Sequence, residues 1–539
     1  MSGVVLLVAA CGSADRPDPS TQTVDRSAVV ARIMSHCTDL PSPGLGAGTL
    51  CIDNGFRLRT DDFSFANWGR SVEADANVTV QNLIDMFGPD HVCAPGGTTG
   101  ECIPRPGTLQ QLEEWNTALS GGRCEGMAAL AVRFRLGQDD PSQFSTGAAT
   151  VAELSRNDGR LGSWIAYWWA TQFLEQVADR AAESRLHSPV ELLDELVQGL
   201  ADGKVGYTLG LYHGAGGHSV VPFAVTRRAS VFVVHVYDNN HPRERREIVV
   251  DPATDRWTYT DANPDETWSG GTGTFELTLM SSREGPFTCP FCTVPRKGSP
   301  TIVTIASRDA DAPGYVLLRS GHGSVESSPD GISNTIDGAI ASPAKGAGAT
   351  ITISVPESVG GFSVALRRGN GAVPAGDVVV TVRRPGHAAT QVSGNLADLV
   401  VGDTADDAVL RVGADDTTVT APRSAVARVS IDAGSNIVHR RLRAGETMVL
   451  DRTGTTGIEI ALKGGGRATT GRATVPVHAG AVTSQIDIVD DGGAVVLTES
   501  AVVPLTVRAP ADINFVPRRR AATTTTIPPV DSIVVSEPD

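Results

Sequence analysis

At 539 residues the chain is too long for a single hydrophobic core and calls for two or more domains. Its 45 basic against 61 acidic residues leave a formal charge of −16. With no long basic run, that excess of acid argues against nucleic acid and anionic membrane surfaces as partners. A hydrophobic content of 41% suffices to fold most of the chain, while 58 glycines and only 5% aromatics point to many turns and small-residue β structure.

The chain opens on a short apolar run, Val4 to Ala10, followed by Cys11. The run is far too short to span a bilayer. Val8-Ala9-Ala10-Cys11 resembles a bacterial lipobox, in which the cysteine becomes the lipidated first residue. Residues 1–10 then read as a lipoprotein signal truncated by a start codon placed too far downstream, which removes the basic n-region. Residues 11–26, polar with Pro and Asp, read as a flexible tether. The expectation is export and an extracellular, cell-surface location, with membrane contact through the lipid anchor only. The other reading is an incidental apolar start on a cytoplasmic protein.

Residues 27–292 hold all seven tryptophans and the seven remaining cysteines. Setting Cys11 aside for lipid and Cys124 for chemistry leaves an even six: Cys37, Cys51, Cys93, Cys102, Cys289 and Cys292. The simplest pairing is local, 37–51, 93–102 and 289–292, as disulfides of an exported protein. A zinc site joining Cys93 and Cys102 to the Cys289-Pro290-Phe291-Cys292 knuckle is the alternative, although the first pair is widely spaced for one.

In Ser120-Gly121-Gly122-Arg123-Cys124-Glu125-Gly126-Met127-Ala128 two glycines end a loop and a helical period begins. Met127, Leu130, Ala131 and Phe134 share one face, and Gly137 stands where the helix would end. Cys124 is thereby placed at a helix N-terminus, where the dipole and free N–H groups favour thiolate, the nucleophilic form of cysteine. Trp164 to Arg185 follows as one amphipathic helix with an aromatic core stripe, and Ser188-Pro189-Val190-Glu191 is a capping box opening a helix to about Leu200.

Gly217 to Val225 and Val231 to Asp238 are strand signals. A hairpin centred on Arg228 sets His218 directly opposite Asp238 on one face, with Asn240 as the backup on that face and His235 on the other. Cys124, His218 and Asp238 are the groups nucleophilic acyl chemistry needs: a thiol, an imidazole to take and return its proton, and a carboxylate to hold the imidazole. No cofactor or metal is called for.

From about Ser299 the texture changes to β-branched runs such as Ile302 to Ile305, Val378 to Val382 and Ile486 to Val489, separated by Gly, Asn and Asp turns. One or two β-sandwich domains over 299–507 are the expectation. Acidic pairs near the turns read as solvated loops rather than calcium sites. Residues 508–539, with Arg518-Arg519-Arg520, read as a disordered tail.

The boxes Gly-Gly-Arg-Cys-Glu-Gly-Met-Ala, Gly-Gly-His-Ser-Val-Val and Val-Tyr-Asp-Asn-Asn resemble the Cys, His and Asp/Asn boxes of papain-fold cysteine peptidases. The bacterial double-glycine-leader peptidases are nearest in length and order. The stretch from Cys51 to Cys292, with Asn54-Gly55-Phe56 and Asp62-Phe63-Ser64-Phe65, also resembles a group of secreted bacterial proteins. The resemblance implies an α+β papain-like hydrolase domain over 27–292, ahead of the β domains. It also implies a Gln six residues before the nucleophile to donate to the oxyanion. That position is Ala118, so Asn116 becomes the candidate donor, with Ser120 a weaker substitute. The expected function is a surface-anchored peptidase or amidase, monomeric, acting on a peptide or protein through a thioacyl-enzyme. A transglutaminase-like acyltransferase and a non-catalytic binding lipoprotein are the alternatives.

Overall fold

The computed structural model describes residues 51–506 apart from short internal stretches, among them 70–75, 95–99, 261–266, 293–297, 347–349 and 401–408; residues 1–50 and 507–539 lie outside the description. The signal, Cys11, the tether, Cys37 and the arginine-bearing tail therefore fall outside it.

The helices are α1 (Val80–Phe87), α2 (Pro89–Val92), α3 (Pro106–Leu119), α4 (Cys124–Arg135), α5 (Gly159–Ala170), α6 (Glu175–Ser184) and α7 (Pro189–Asp202). Their ends follow local chemistry. Ser188 and Glu191 close a capping box with Pro189 in the first turn of α7. Gly137, at φ 69°, follows the end of α4. Helices α4 and α5 cross at Gly126, where any Cβ would lie 2.0 Å from the Ile165 carbonyl oxygen. The single helix expected from Trp164 to Arg185 is two. It breaks at a 3₁₀ turn, Thr171–Phe173, where the Thr171 hydroxyl donates to the Trp168 carbonyl at 2.6 Å and Leu174 is extended.

The strands of this part are β1 (Cys51–Asp53), β2 (Glu101–Cys102), β3 (Tyr207–His213), β4 (Gly216–Arg228), β5 (Val231–Tyr237), β6 (Arg245–Asp251), β7 (Arg256–Thr260), β8 (Thr267–Gly270) and β9 (Phe275–Leu279). They form one antiparallel sheet in the order β8-β7-β6-β5-β4-β3-β9, with β1 also on β4, while β2 pairs with the distant strand Leu505–Thr506. Helix α4 packs its Met127, Leu130 and Phe134 face into a core with Val221, Phe223 and Tyr237.

Beyond Ser299 two nine-stranded sheets share one core among the described residues, Val303, Val380 and Val392 of one meeting Leu318, Val364 and Met448 of the other. Helix α3 lies on the first of these sheets. Arg383 pairs with Glu114 at 3.0 Å, and the Gln391 amide donates to the Gln110 carbonyl at 2.9 Å.

The α+β papain-like class with appended sandwich domains is corrected by these elements. Among the described residues strands outweigh helices, in several antiparallel sheets including a half-barrel, so the structure is mostly β with a small helical part. The reason is visible in the residues. The α-helices of the described residues fall within Val80–Asp202, while seven strands between Tyr207 and Leu279 add to those after Ser299.

Among the six cysteines set aside for pairing, Cys93–Cys102 and Cys289–Cys292 are disulfides, which removes the thiols a zinc site would use. Cys51 is disulfide-bonded as well, and its expected partner Cys37 lies outside the described residues. Cys124 is free.

Candidate active site

Cys124 is the first residue of α4. The preceding turn is closed by the Gly121 and Gly122 N–H groups donating to the carbonyls of Ala118 and Leu119. Gly122 sits at φ 146°, a conformation that favours glycine. Arg123 is wholly buried, its guanidinium over the Trp68 ring at 4.3 Å and donating to the carbonyls of Ala76 at 2.7 Å and Gly69 at 3.0 Å. Burial lowers its pKa to about 9. Its backbone N–H is taken by Asn67 Oδ1 at 2.8 Å. The helix start is thus held from both sides, and its first-turn N–H groups have no intrahelical acceptor.

His218 lies in β4, opposite Leu211 of β3. Its Nε2 is 2.7 Å from Asp238 Oδ1. Asp238 follows the last residue of β5 and is itself surrounded by donors: the Tyr259 hydroxyl on Oδ2 and the Asn240 backbone N–H on Oδ1 at 2.8 Å. Burial works against charge on both groups. The mutual attraction and hydrogen bonding outweigh it, raising the His218 pKa well above 6.5 and holding the Asp238 carboxyl well below the usual range. Cys124, beside His218, adds to that upward shift. With Nε2 engaged by Asp238, Nδ1 is the nitrogen left to face the thiol.

The pair forms by a different register from the hairpin expected. The turn is Ala229-Ser230, with Ala229 at φ 53°, and a bulge falls between Pro222 and Ala224. Val221 consequently opposes Tyr237. Continued, that register sets residue 240 opposite His218 and makes Asp238 its diagonal neighbour on the same face, still within reach. Asn240 does not hold the imidazole. Its side chain accepts from Asn67 Nδ2 at 3.1 Å. His235 pairs with Ala224, bonds the Thr226 hydroxyl at 2.8 Å and has a pKa lowered to about 4, chiefly by burial.

The Asn116 amide is engaged away from Cys124. Its side chain clamps Val78, Oδ1 accepting from the N–H and Nδ2 donating to the carbonyl, each at 2.9 Å. Ser120 is engaged too, donating to the Thr117 carbonyl at 2.5 Å. An amide at the oxyanion position would have to leave both partners on Val78. Asn116→Ala is therefore expected to cost about 1–3 kcal/mol of stability in chemical denaturation and to leave the alkylation rate of Cys124 unchanged.

The residues that sequence reasoning missed are Asn67, Asn239, Tyr259 and Glu125. The Asn239 amide donates to the carbonyls of Cys124 at 3.0 Å and Ser219 at 2.9 Å, tying the helix start to the histidine strand. Asn67 links the residue before the nucleophile to the loop after the carboxylate, its own N–H donating to the Asn239 carbonyl at 2.7 Å. The run Asp238-Asn239-Asn240 was legible only as a source of an orienter, because nothing in spacing shows that its middle amide turns toward Cys124. Glu125 is fully buried, accepting from Arg283 and lying 3.2 Å from both the Thr208 hydroxyl and Lys345 Nζ.

Comparison with protein-family models, with curated proteins and with solved structures yields no match to this chain.

Proposed function

We propose that the protein is a cysteine hydrolase, a peptidase or amidase, in which Cys124 is the nucleophile, His218 the general base and acid, and Asp238 the residue that orients the imidazole. One observation carries the reading: a continuous chain of contacts from the free thiol of Cys124 through His218 to Asp238, backed by Tyr259 and the Asn240 N–H. The resemblance of the three sequence boxes to those of cysteine peptidases points the same way.

In this scheme the thiol gives its proton to His218 and attacks a substrate carbonyl. The developing oxyanion meets the free N–H groups at the start of α4. The imidazolium, held by Asp238, protonates the leaving amine. Water, deprotonated by the same imidazole, then hydrolyses the thioester. Two disulfides in the described residues are compatible with the extracellular, lipid-anchored location expected from the N-terminus. Peptide or protein is the substrate class.

The raised His218 pKa has a direct consequence. A group whose pKa is raised keeps its proton to higher pH, so the descending limb of kcat/KM is expected well above pH 6.5. Asp238→Asn removes the charge that sustains the shift, so the limb should move down toward 6.5 while kcat falls on the order of 10²–10⁴-fold. A pH-rate series on both proteins checks this; a limb that stays in place denies Asp238 its role. Product analysis with and without an added primary amine tests the reaction class. A hydrolysed acid as the main product supports the reading, and transfer to the amine in preference to water would replace it with an acyltransferase.

A further inference from the structure

The surroundings of Cys124 and His218 are covered by this chain itself. Cys124 is 0% and His218 7% exposed. What lies against their neighbours is the segment Ala344–Gly346, which leaves the strand Ile340–Pro343 of the distant β part. Gly346 forms an antiparallel bridge with Gly217, the residue before the base, its N–H donating to the Gly217 carbonyl at 2.9 Å. A Cβ on Gly346 would lie 2.9 Å from the carbonyl oxygen of Gly122, two residues before the nucleophile. A Cβ on Gly217 would meet the Ala344 carbonyl oxygen at 2.8 Å. Gly346 has a φ of +136°, so a side chain there is disfavoured on both counts. A backbone bridged to the strand beside His218 lies where a peptide substrate would add to that edge.

The residue before this glycine has a built site of its own. The stem of Lys345 passes over Gly210, where a Cβ would approach Lys345 Cδ to 3.0 Å. Its Nζ sits 2.5 Å from Glu276 Oε1 and 3.2 Å from Glu125 Oε1, and bonds the Thr278 hydroxyl at 3.3 Å. Glu276 is fully buried, with the Tyr212 hydroxyl on its other oxygen at 2.7 Å. The Lys345 backbone is read as well, its N–H donating to Gln172 Oε1 at 2.7 Å.

We propose that the ground covered by this segment is a binding site for a peptide bearing a basic residue followed by glycine, that Glu276 selects the basic residue, and that Lys345-Gly346 of the same chain occupies the site in the resting protein. The proposal rests on the hydrolase reading and names its substrate class and its restraint. External substrate and the internal segment compete for one place, so the resting protein is held back until the segment is displaced.

The test is the rate at which iodoacetamide alkylates Cys124, followed by peptide-level mass spectrometry. It compares the wild type, Gly346→Val and Lys345→Met, with and without millimolar acetyl-Ala-Lys-Gly-amide or acetyl-Ala-Glu-Gly-amide. Near-UV circular dichroism confirms that each chain is folded. Alkylation is expected to be at least tenfold faster in both variants. The lysine peptide should restore protection, and the glutamate peptide should not. Equal rates in all three chains overturn the proposal, as does protection by both peptides alike or by neither. If neither variant folds, the segment is a structural part of the core and the proposal also falls. Failure of the hydrolase reading looks different: Cys124 would react in the variants at a rate that His218→Ala leaves unchanged.

Discussion

Replacing Cys124 with alanine is expected to abolish hydrolysis of any peptide or amide substrate and all covalent trapping at this site. The thiol is the one free cysteine among the described residues, and no other nucleophile contacts His218. His218→Ala should cost nearly as much in kcat, on the order of 10⁴-fold or more, and the double variant little beyond either single one. Residues that act as a unit in one proton transfer lose their effect together. Single-turnover kinetics on the three variants measures this directly. Additive losses would mean that Cys124 and His218 serve separate ends.

The largest stability effect is expected below the site. Arg283 is wholly buried, and its guanidinium donates to Glu125 and to the Thr171 hydroxyl. Glu125 is fully buried too, one residue after the nucleophile. Burial opposes its ionisation, and Lys345 and Arg283 reverse that, so its carboxyl titrates below the ordinary range. Arg283→Met keeps much of the stem and removes the charge, leaving Glu125 short of its nearest partner in a low-dielectric setting. Breaking such a pair typically costs about 3–5 kcal/mol. Urea denaturation should show a loss of that size. A loss below about 1 kcal/mol would show that Lys345 and Thr208 alone satisfy Glu125. The carboxylate lost in Glu125→Gln gives the complementary check, since that change leaves the guanidinium without a counter-ion.

The strongest local signals were the most legible. The helix at Cys124, the capping box at Ser188 and the β-branched runs after Ser299 are each written in a few consecutive residues, and short-range sterics and capping carry them. Cys124, His218 and Asp238 stand out in the sequence for the same reason: each sits near an element end marked by glycine or by a change of period. The hairpin register was not legible, because a two-residue turn at Ala229-Ser230 and the bulge at Pro222–Ala224 leave no mark in the alternation of a strand that is apolar on both faces. His218 and Asp238 meet nonetheless, since a diagonal pair on one face is close enough for a carboxylate to reach an imidazole. The fold class departs from the papain-like expectation because seven antiparallel strands lie between Tyr207 and Leu279, and only Gly217 to Val225 and Val231 to Asp238 carry a plain strand signal in the sequence. Asn116 shows the limit of spacing arguments: its side chain spends both hydrogen-bonding groups on Val78, 38 residues away. Polar strands such as Gly323–Ser328 and Thr390–Asn395 carry little β-branched signal and are held by pairing with the strands that precede them, Tyr315–Ser320 and Asp377–Arg383.

The central claim is that His218 activates Cys124. Its most direct test is the pH dependence of Cys124 alkylation in the wild-type and Gly346→Val chains, each with His218 intact and with His218→Ala. If His218 takes the thiol proton, removing the imidazole is expected to slow alkylation at neutral pH and to change the shape of the profile. Identical profiles with and without His218 would contradict it.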